Sequence, residues 1–203
     1  MIKIVNLNKK YDDKVILKDI NFTFNDFGLY IITGDNGCGK TTLLYIIGLL
    51  DDNYEGDYFF NKQNINDFSA KQREKIKREN FSLLFSKGNL IPFLNVEDNI
   101  FFGIKRPKYY EVKYVNVDLK RKASLLSGGE EVLVALQREK MLNKKVLLLD
   151  EVTAALDDDN LRKTMEILIE QSKEKLIILV SHDVRTYGYG TLLRLENGKL
   201  FYM

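Results

Sequence analysis

The chain has 203 residues, of which 45% are hydrophobic and 30% charged, with 31 Lys and Arg set against 29 Asp and Glu. That length suits one sizeable core and is marginal for two, and the near-neutral balance lacks the basic excess of a nucleic-acid-binding surface. One cysteine, Cys38, excludes an internal disulfide and suits a reducing compartment. The start Met1–Asn6 is too polar for a signal-peptide core, and no apolar run nears the ~20 residues needed to cross a bilayer.

Along the chain, strand-like and helical segments alternate. Ile2–Leu7 and Ile20–Phe24 alternate apolar and polar residues, as half-buried antiparallel strands do. Leu29–Thr33 is a short apolar run ending at Gly34, the mark of a buried strand, and Thr41–Leu50 follows with helical spacing. Asp57–Asn61 and Ser82–Phe85 are further strands around a charged helical stretch, Ala70–Asn80. The span from about Pro92 to Leu126 is less regular and forms a candidate small subdomain. Gly128–Leu142 and the amphipathic Leu161–Ser172 read as helices. Between and after them, Val146–Leu149 and Leu176–Val180 are fully apolar, like central parallel strands. Leu192–Leu195, the Asn197-Gly198 turn and Leu200–Tyr202 close the chain as a hairpin. The pattern is α/β, a parallel core with antiparallel additions.

Two segments carry chemistry. Gly34-Asp35-Asn36-Gly37-Cys38-Gly39-Lys40-Thr41, with Thr42 behind it, fits G-x-x-x-x-G-K-[ST] between a strand and a helix. Glycines there let successive N–H groups face phosphate oxygens at the positive end of a helix. Lys40 supplies a point charge to the β- and γ-phosphates, and the Thr41 hydroxyl suits Mg²⁺. Cys38 is either a small residue that fits the loop or a thiol acidified by the helix end and Lys40. The second segment, Val146–Leu149, ends in Asp150 and Glu151, at the strand edge where nucleotides bind. Asp150 suits the Mg²⁺ shell and Glu151 suits polarising the attacking water.

With a third segment the sequence resembles the ATPase domain of ABC transporters. Leu126-Ser127-Gly128-Gly129-Glu130 is similar to that family's signature and stands 20 residues before Asp150. Asp150–Asp157 resembles the family's acidic strand end and the turn that follows it. Ser181-His182-Asp183 resembles its switch histidine, and Tyr11 its adenine-stacking aromatic. The resemblance implies one domain over 1–203: a P-loop NTPase core with a mixed sheet, an N-terminal antiparallel β part and a shortened α-helical subdomain at about 87–135. It implies ATP and Mg²⁺ as cofactors, with Thr41, Asp150 and Ser86 around the metal. It further implies a homodimer or heterodimer in which Ser127, Gly128, Gly129 and Glu130 of one copy meet the ATP of the other. Glu151 would then be the general base, His182 would hold the γ-phosphate and water, and Asp157 would bridge the copies. The implied partner is a transmembrane permease, on the cytoplasmic inner face of the cell membrane.

Departures from the family pattern concentrate in one region. Ser86 stands where the family has a Mg²⁺-ligating glutamine, and only 40 residues separate it from Leu126, against roughly 50 expected. Val152 replaces a proline and Leu133 a basic residue. Tyr109-Tyr110 and Phe101-Phe102 are candidates for a permease-docking patch, with core packing the alternative role for at least half of them. The stretch Asn89–Ile100 is most similar to exporters. The alternative is a soluble nucleotide-binding regulator of low turnover.

Overall fold

A computed structural model describes residues 1–87 and 89–203. Two sheets are stacked through a shared core. The first is antiparallel: β1 (Ile2–Tyr11), β2 (Lys14–Phe24), β4 (Glu55–Phe60) and β5 (Gln63–Asn64), in the order β2-β1-β4-β5. The second has six strands, β10-β9-β3-β8-β7-β6. Its members are β3 (Gly28–Thr33), β6 (Phe81–Leu84), β7 (Val146–Asp150), β8 (Leu176–Val180), β9 (Thr191–Glu196) and β10 (Lys199–Tyr202). All its neighbours pair in parallel except the final hairpin, which makes the sheet mixed.

The continuous apolar runs are buried on both faces, as parallel strands require. Alternation sorts their side chains. Ile32, Leu148 and Ile178 enter a core shared with the first sheet and with helix α1 (Lys40–Ile47). Ile31, Leu147, Leu149 and Ile177 enter a second core, covered by α4 (Gly128–Leu142) and α5 (Asp158–Ser172). Helix α2 (Ala70–Asn80) buries nothing fully and is held at its start by the capping box of Ser69 and Gln72.

The first strand runs four residues past the alternating pattern. Its register with β2 shifts three times between Ile4 and Lys10, so a buried Lys9 breaks the apolar-polar rhythm without ending the pairing. The span 87–135 holds less helix than expected. It contains the five-residue α3 (Val96–Ile100), a 3₁₀ turn at Ala123–Leu125 and the start of α4. The coil before and after α3 is fixed by side chains instead. Gln137 of α4, fully buried, accepts the Lys113 and Tyr114 amides at 2.9 and 3.0 Å, and Asn99 of α3 accepts the Ile91 amide at 2.7 Å. Such bonds satisfy backbone groups that a helix would otherwise pair.

Candidate active site

Strand β3 delivers its buried end, Thr33, into Gly34, whose φ is +148°. A Cβ at Gly34 would lie 2.3 Å from the Leu195 carbonyl oxygen and 2.9 Å from Cys38 Sγ, so the loop is threaded tightly against β9. Gly39, at φ +107°, is the N-cap of α1 and gives no side-chain cap, which leaves the first-turn amides for an external acceptor. The Lys40 ammonium is buried and donates to the carbonyls of Gly34 and Asp35 at 2.8 and 2.9 Å. A buried cation whose partners are neutral carbonyls fits an anionic ligand. Asn36, Gly37, Thr41 and Thr42 complete the lining of this pocket, and Ile16 of β2 leans over Gly39. Asp35 is exposed at the loop's rim. Cys38 is half-buried and packed on the first core, the position of a space-filling residue.

The end of β7 faces this loop. Thr41 Oγ1 donates to Asp150 Oδ1 at 3.1 Å, which sets two hard oxygen ligands side by side and fits Mg²⁺. Burial pushes the Asp150 carboxyl up; the Thr41 hydrogen bond opposes this and the Glu151 charge adds to it. Glu151 has φ +53° and donates its amide to the Val180 carbonyl at 3.0 Å. That turn brings its Oε1 within 3.3 Å of His182 Nδ1. His182 follows Ser181, whose amide donates to the Ile32 carbonyl at 3.1 Å. The ends of β3, β7 and β8 thus gather Lys40, Thr41, Asp150, Glu151 and His182 at one sheet edge, where phosphate chemistry is expected.

A second constellation lies at the starts of α4 and α5. Ser127 caps α4 in a reciprocal box: its amide donates to Glu130 Oε2 at 2.7 Å, and the Glu130 amide donates to its Oγ at 3.3 Å. The Ser127 amide and hydroxyl, with Arg121 at 3.2 Å, hold the Glu130 carboxyl below its ordinary range. Ser127 and Gly128 are exposed, while Gly129 is buried against Asn160. Asp157 caps α5 and accepts both the amide and the side-chain amide of Asn160 at 2.8 Å. These bonds hold the Asp157 carboxyl below its ordinary range. Asn160 therefore joins the signature-like turn to Asp157. Sequence reasoning missed it; the local signal was an Asn three residues after an Asp helix cap.

Tyr11 and Ser86 are not drawn into either constellation. Tyr11 is half-exposed at the end of β1 and donates to Asp51 Oδ2 at 3.3 Å, with the Lys9 ammonium 4.7 Å from its ring centroid. Lys9 and Asp51 form an inward-facing ion pair at 2.7 Å. Ser86 is exposed in the loop after β6. A roomier cavity, about 390 Å³, lies between the end of α1 and α2, but its charges are already paired, Arg73 with Asp52 and Lys77 with Glu74.

Residues 17–154 match the family model for the ABC transporter. The chain is 34% identical over 198 residues to the spermidine/putrescine import ATP-binding protein PotA of Mycoplasma capricolum, spanning 90% of this chain and 54% of that one. It is 31% identical over 197 residues to the Fe(3+) ions import ATP-binding protein FbpC of Fusobacterium nucleatum, spanning 90% and 51%. The chain thus covers about half the length of these curated relatives. It is 31% identical to the ABC transporter ATP-binding protein MJ0796 of Methanocaldococcus jannaschii over 98% of this chain and 95% of that one. A solved dimer of the MJ0796 ATP-binding cassette, in a post-hydrolysis state with ADP and Pi, superposes with a TM-score of 0.82 at 28% identity, covering 98% and 96%.

Proposed function

The chain belongs to the ABC transporter family, and we propose that it is the ATP-binding and ATP-hydrolysing subunit of a transporter, driving a separate membrane permease through ATP-dependent dimerisation. One observation carries this reading. The catalytic set gathers at one sheet edge, whereas Ser127 and Gly128 present a capped helix start to solvent, away from that set. Each half supplies what the other lacks, so two copies related by a twofold axis, each presenting its helix start to the other's sheet edge, make two complete sites. The MJ0796 cassette is described as a dimer bound to ADP and Pi, which supports this arrangement.

In the proposed roles the loop amides and Lys40 hold the phosphates, and Thr41 and Asp150 hold Mg²⁺, which lends charge neutralisation. Glu151 takes the proton of the attacking water, and His182, 3.3 Å away, orients both. Ser127, Gly128 and Gly129 donate in trans, with Glu130 fixing that turn and Asp157 bridging the copies. Tyr11 stacks on adenine once the nucleotide competes with its Asp51 bond. Ser86, shorter than the family's glutamine, would join the metal's shell through a water or stand outside it. The permease docks on the span 87–135 at the cytoplasmic face of the cell membrane. Among the described residues no helix is long and apolar enough to cross a membrane. Export is the finer reading, carried by Asn89–Ile100. The import-named relatives are matched over about half their length, and the one matched almost throughout has no substrate in its name.

The test is ATP turnover by the purified chain, alone and after capture on membranes. Turnover that rises with a co-purifying membrane protein supports the transporter reading. Binding with no turnover in either setting favours the nucleotide-binding regulator and overturns it.

A further inference from the structure

One 3₁₀ turn, Val184–Tyr189, follows His182 after its cap Asp183 and touches both constellations. On one side Tyr187 Oη and Thr33 Oγ1 share a hydrogen bond of 2.6 Å, and Thr33 is the buried residue that leads into Gly34. On the other side stands Arg185. Its Nε donates to Asp183 Oδ1 at 3.0 Å and its Nη2 to Asp183 Oδ2 at 2.7 Å. Nη2 also donates to the Leu156 carbonyl at 3.1 Å, and Nη1 pairs with Asp158. Asp183 adjoins the switch histidine in sequence, and Leu156 and Asp158 flank Asp157. Beyond Asp157 the Asn160 side chain carries the contact on to Gly129.

We propose that Arg185 is a positioning residue that fastens the turn carrying His182 to the turn carrying Asp157, so that phosphate engagement at His182 is transmitted to the dimer interface. The inference rests on the dimeric ATPase reading above. The chemistry favours arginine specifically. A planar fork can hold a carboxylate with one edge and a backbone carbonyl with the other, whereas an ammonium has no such fixed geometry. The guanidinium is partly solvent-exposed, and exposed ion pairs of this kind contribute little to stability. Its removal therefore leaves the fold standing and changes placement. Asp183, whose side chain is only 12% exposed, stays anchored through its amide, which donates to Ser181 Oγ at 3.1 Å. Ser181 Oγ also shares a 3.2 Å hydrogen bond with Thr153 Oγ1 at the start of that turn, and the Arg185 contact adds the direct link from Asp183 to the residues flanking Asp157.

The experiment compares wild type, Arg185→Ala and Arg185→Lys in steady-state ATPase kinetics, nucleotide affinity and backbone hydrogen exchange of the nucleotide-free protein. Arg185→Ala is expected to bind ATP within about twofold of wild type while kcat falls roughly tenfold to a hundredfold, the scale of a positioning defect. The amides from Leu156 to Asp158 should exchange faster in Arg185→Ala even without nucleotide, and Arg185→Lys should recover only part of kcat. Unchanged kcat, unchanged exchange, or a loss of affinity in parallel with a lower melting temperature would each overturn the proposal. Wild type that neither hydrolyses ATP nor dimerises would sink the function reading instead. The nucleotide-free exchange comparison then still decides whether Arg185 joins the two turns.

Discussion

Gly34→Ala probes the point where the phosphate loop is clamped to the sheet. The new Cβ would sit 2.3 Å from the Leu195 carbonyl oxygen, whereas ordinary contact begins at 3.4 Å. The loop or β9 must therefore give by about 1 Å, on a backbone at φ +148° that L side chains rarely adopt. Backbone strain costs about 1–3 kcal/mol and overpacking a further ~1–3 kcal/mol. At roughly 2–4 °C per kcal/mol for a chain this size, the melting temperature should fall by about 4–24 °C. A shift of about 1 Å also moves the Gly34 carbonyl that holds Lys40, so ATP affinity should drop about tenfold or more. Differential scanning calorimetry and titration with a fluorescent ATP analogue measure both effects. A variant that melts within about 2 °C of wild type and binds ATP equally would refute the argument from tight threading.

Gly129→Ala meets the Asn160 side chain at 2.5 Å and must displace it from Asp157. Turnover should collapse with little change in melting temperature, because the helix gains a better former as it loses the contact. Lys9→Met strips the partner from Asp51 and should cost about 3 kcal/mol in urea unfolding. The double variant Lys9→Met/Asp51→Leu should recover most of that loss, and a double variant as unstable as the single would contradict it. The Asp183 carboxyl is held below its ordinary 3.8 chiefly by the Arg185 hydrogen bonds, with burial opposing. A depressed folded value means stability that is present above the unfolded value and lost as pH falls through the folded one. The stability gap between wild type and Asp183→Asn should therefore be small, stay level at neutral pH and close as pH falls below 3.8, as read by urea midpoints across acid pH. A gap that widens in acid would refute the assigned cause.

What was legible in the sequence had local causes. The apolar runs Val146–Leu149 and Leu176–Val180 name buried strands by themselves, because both faces of the central sheet are covered. The phosphate loop is legible because its glycines, lysine and threonine must fall in one register for the backbone to do its work. Ser127 and Glu130 are legible because a capping box is a short-range device, and α4 begins and ends where its spacing says. Asn160 had a local signal as the partner of an Asp helix cap, and the other misses are long-range. Lys9 is buried by a partner 42 residues away, so the true length of β1 is hidden in an apparent break of alternation. The coil before α3 takes its shape from Asn99 and the coil after it from Gln137, which pair with backbone groups no pattern could assign. Arg185 reaches Leu156 across 29 residues, and nothing near it in the chain announces the contact.

The most direct test of the account is the oligomeric state of Glu151→Gln with Mg-ATP, measured by size-exclusion chromatography with light scattering. Binding groups would be intact and the proposed base removed. The account predicts a stable dimer that forms with ATP and dissociates when ADP replaces it. A Glu151→Gln chain that binds ATP yet stays monomeric would contradict the composite site.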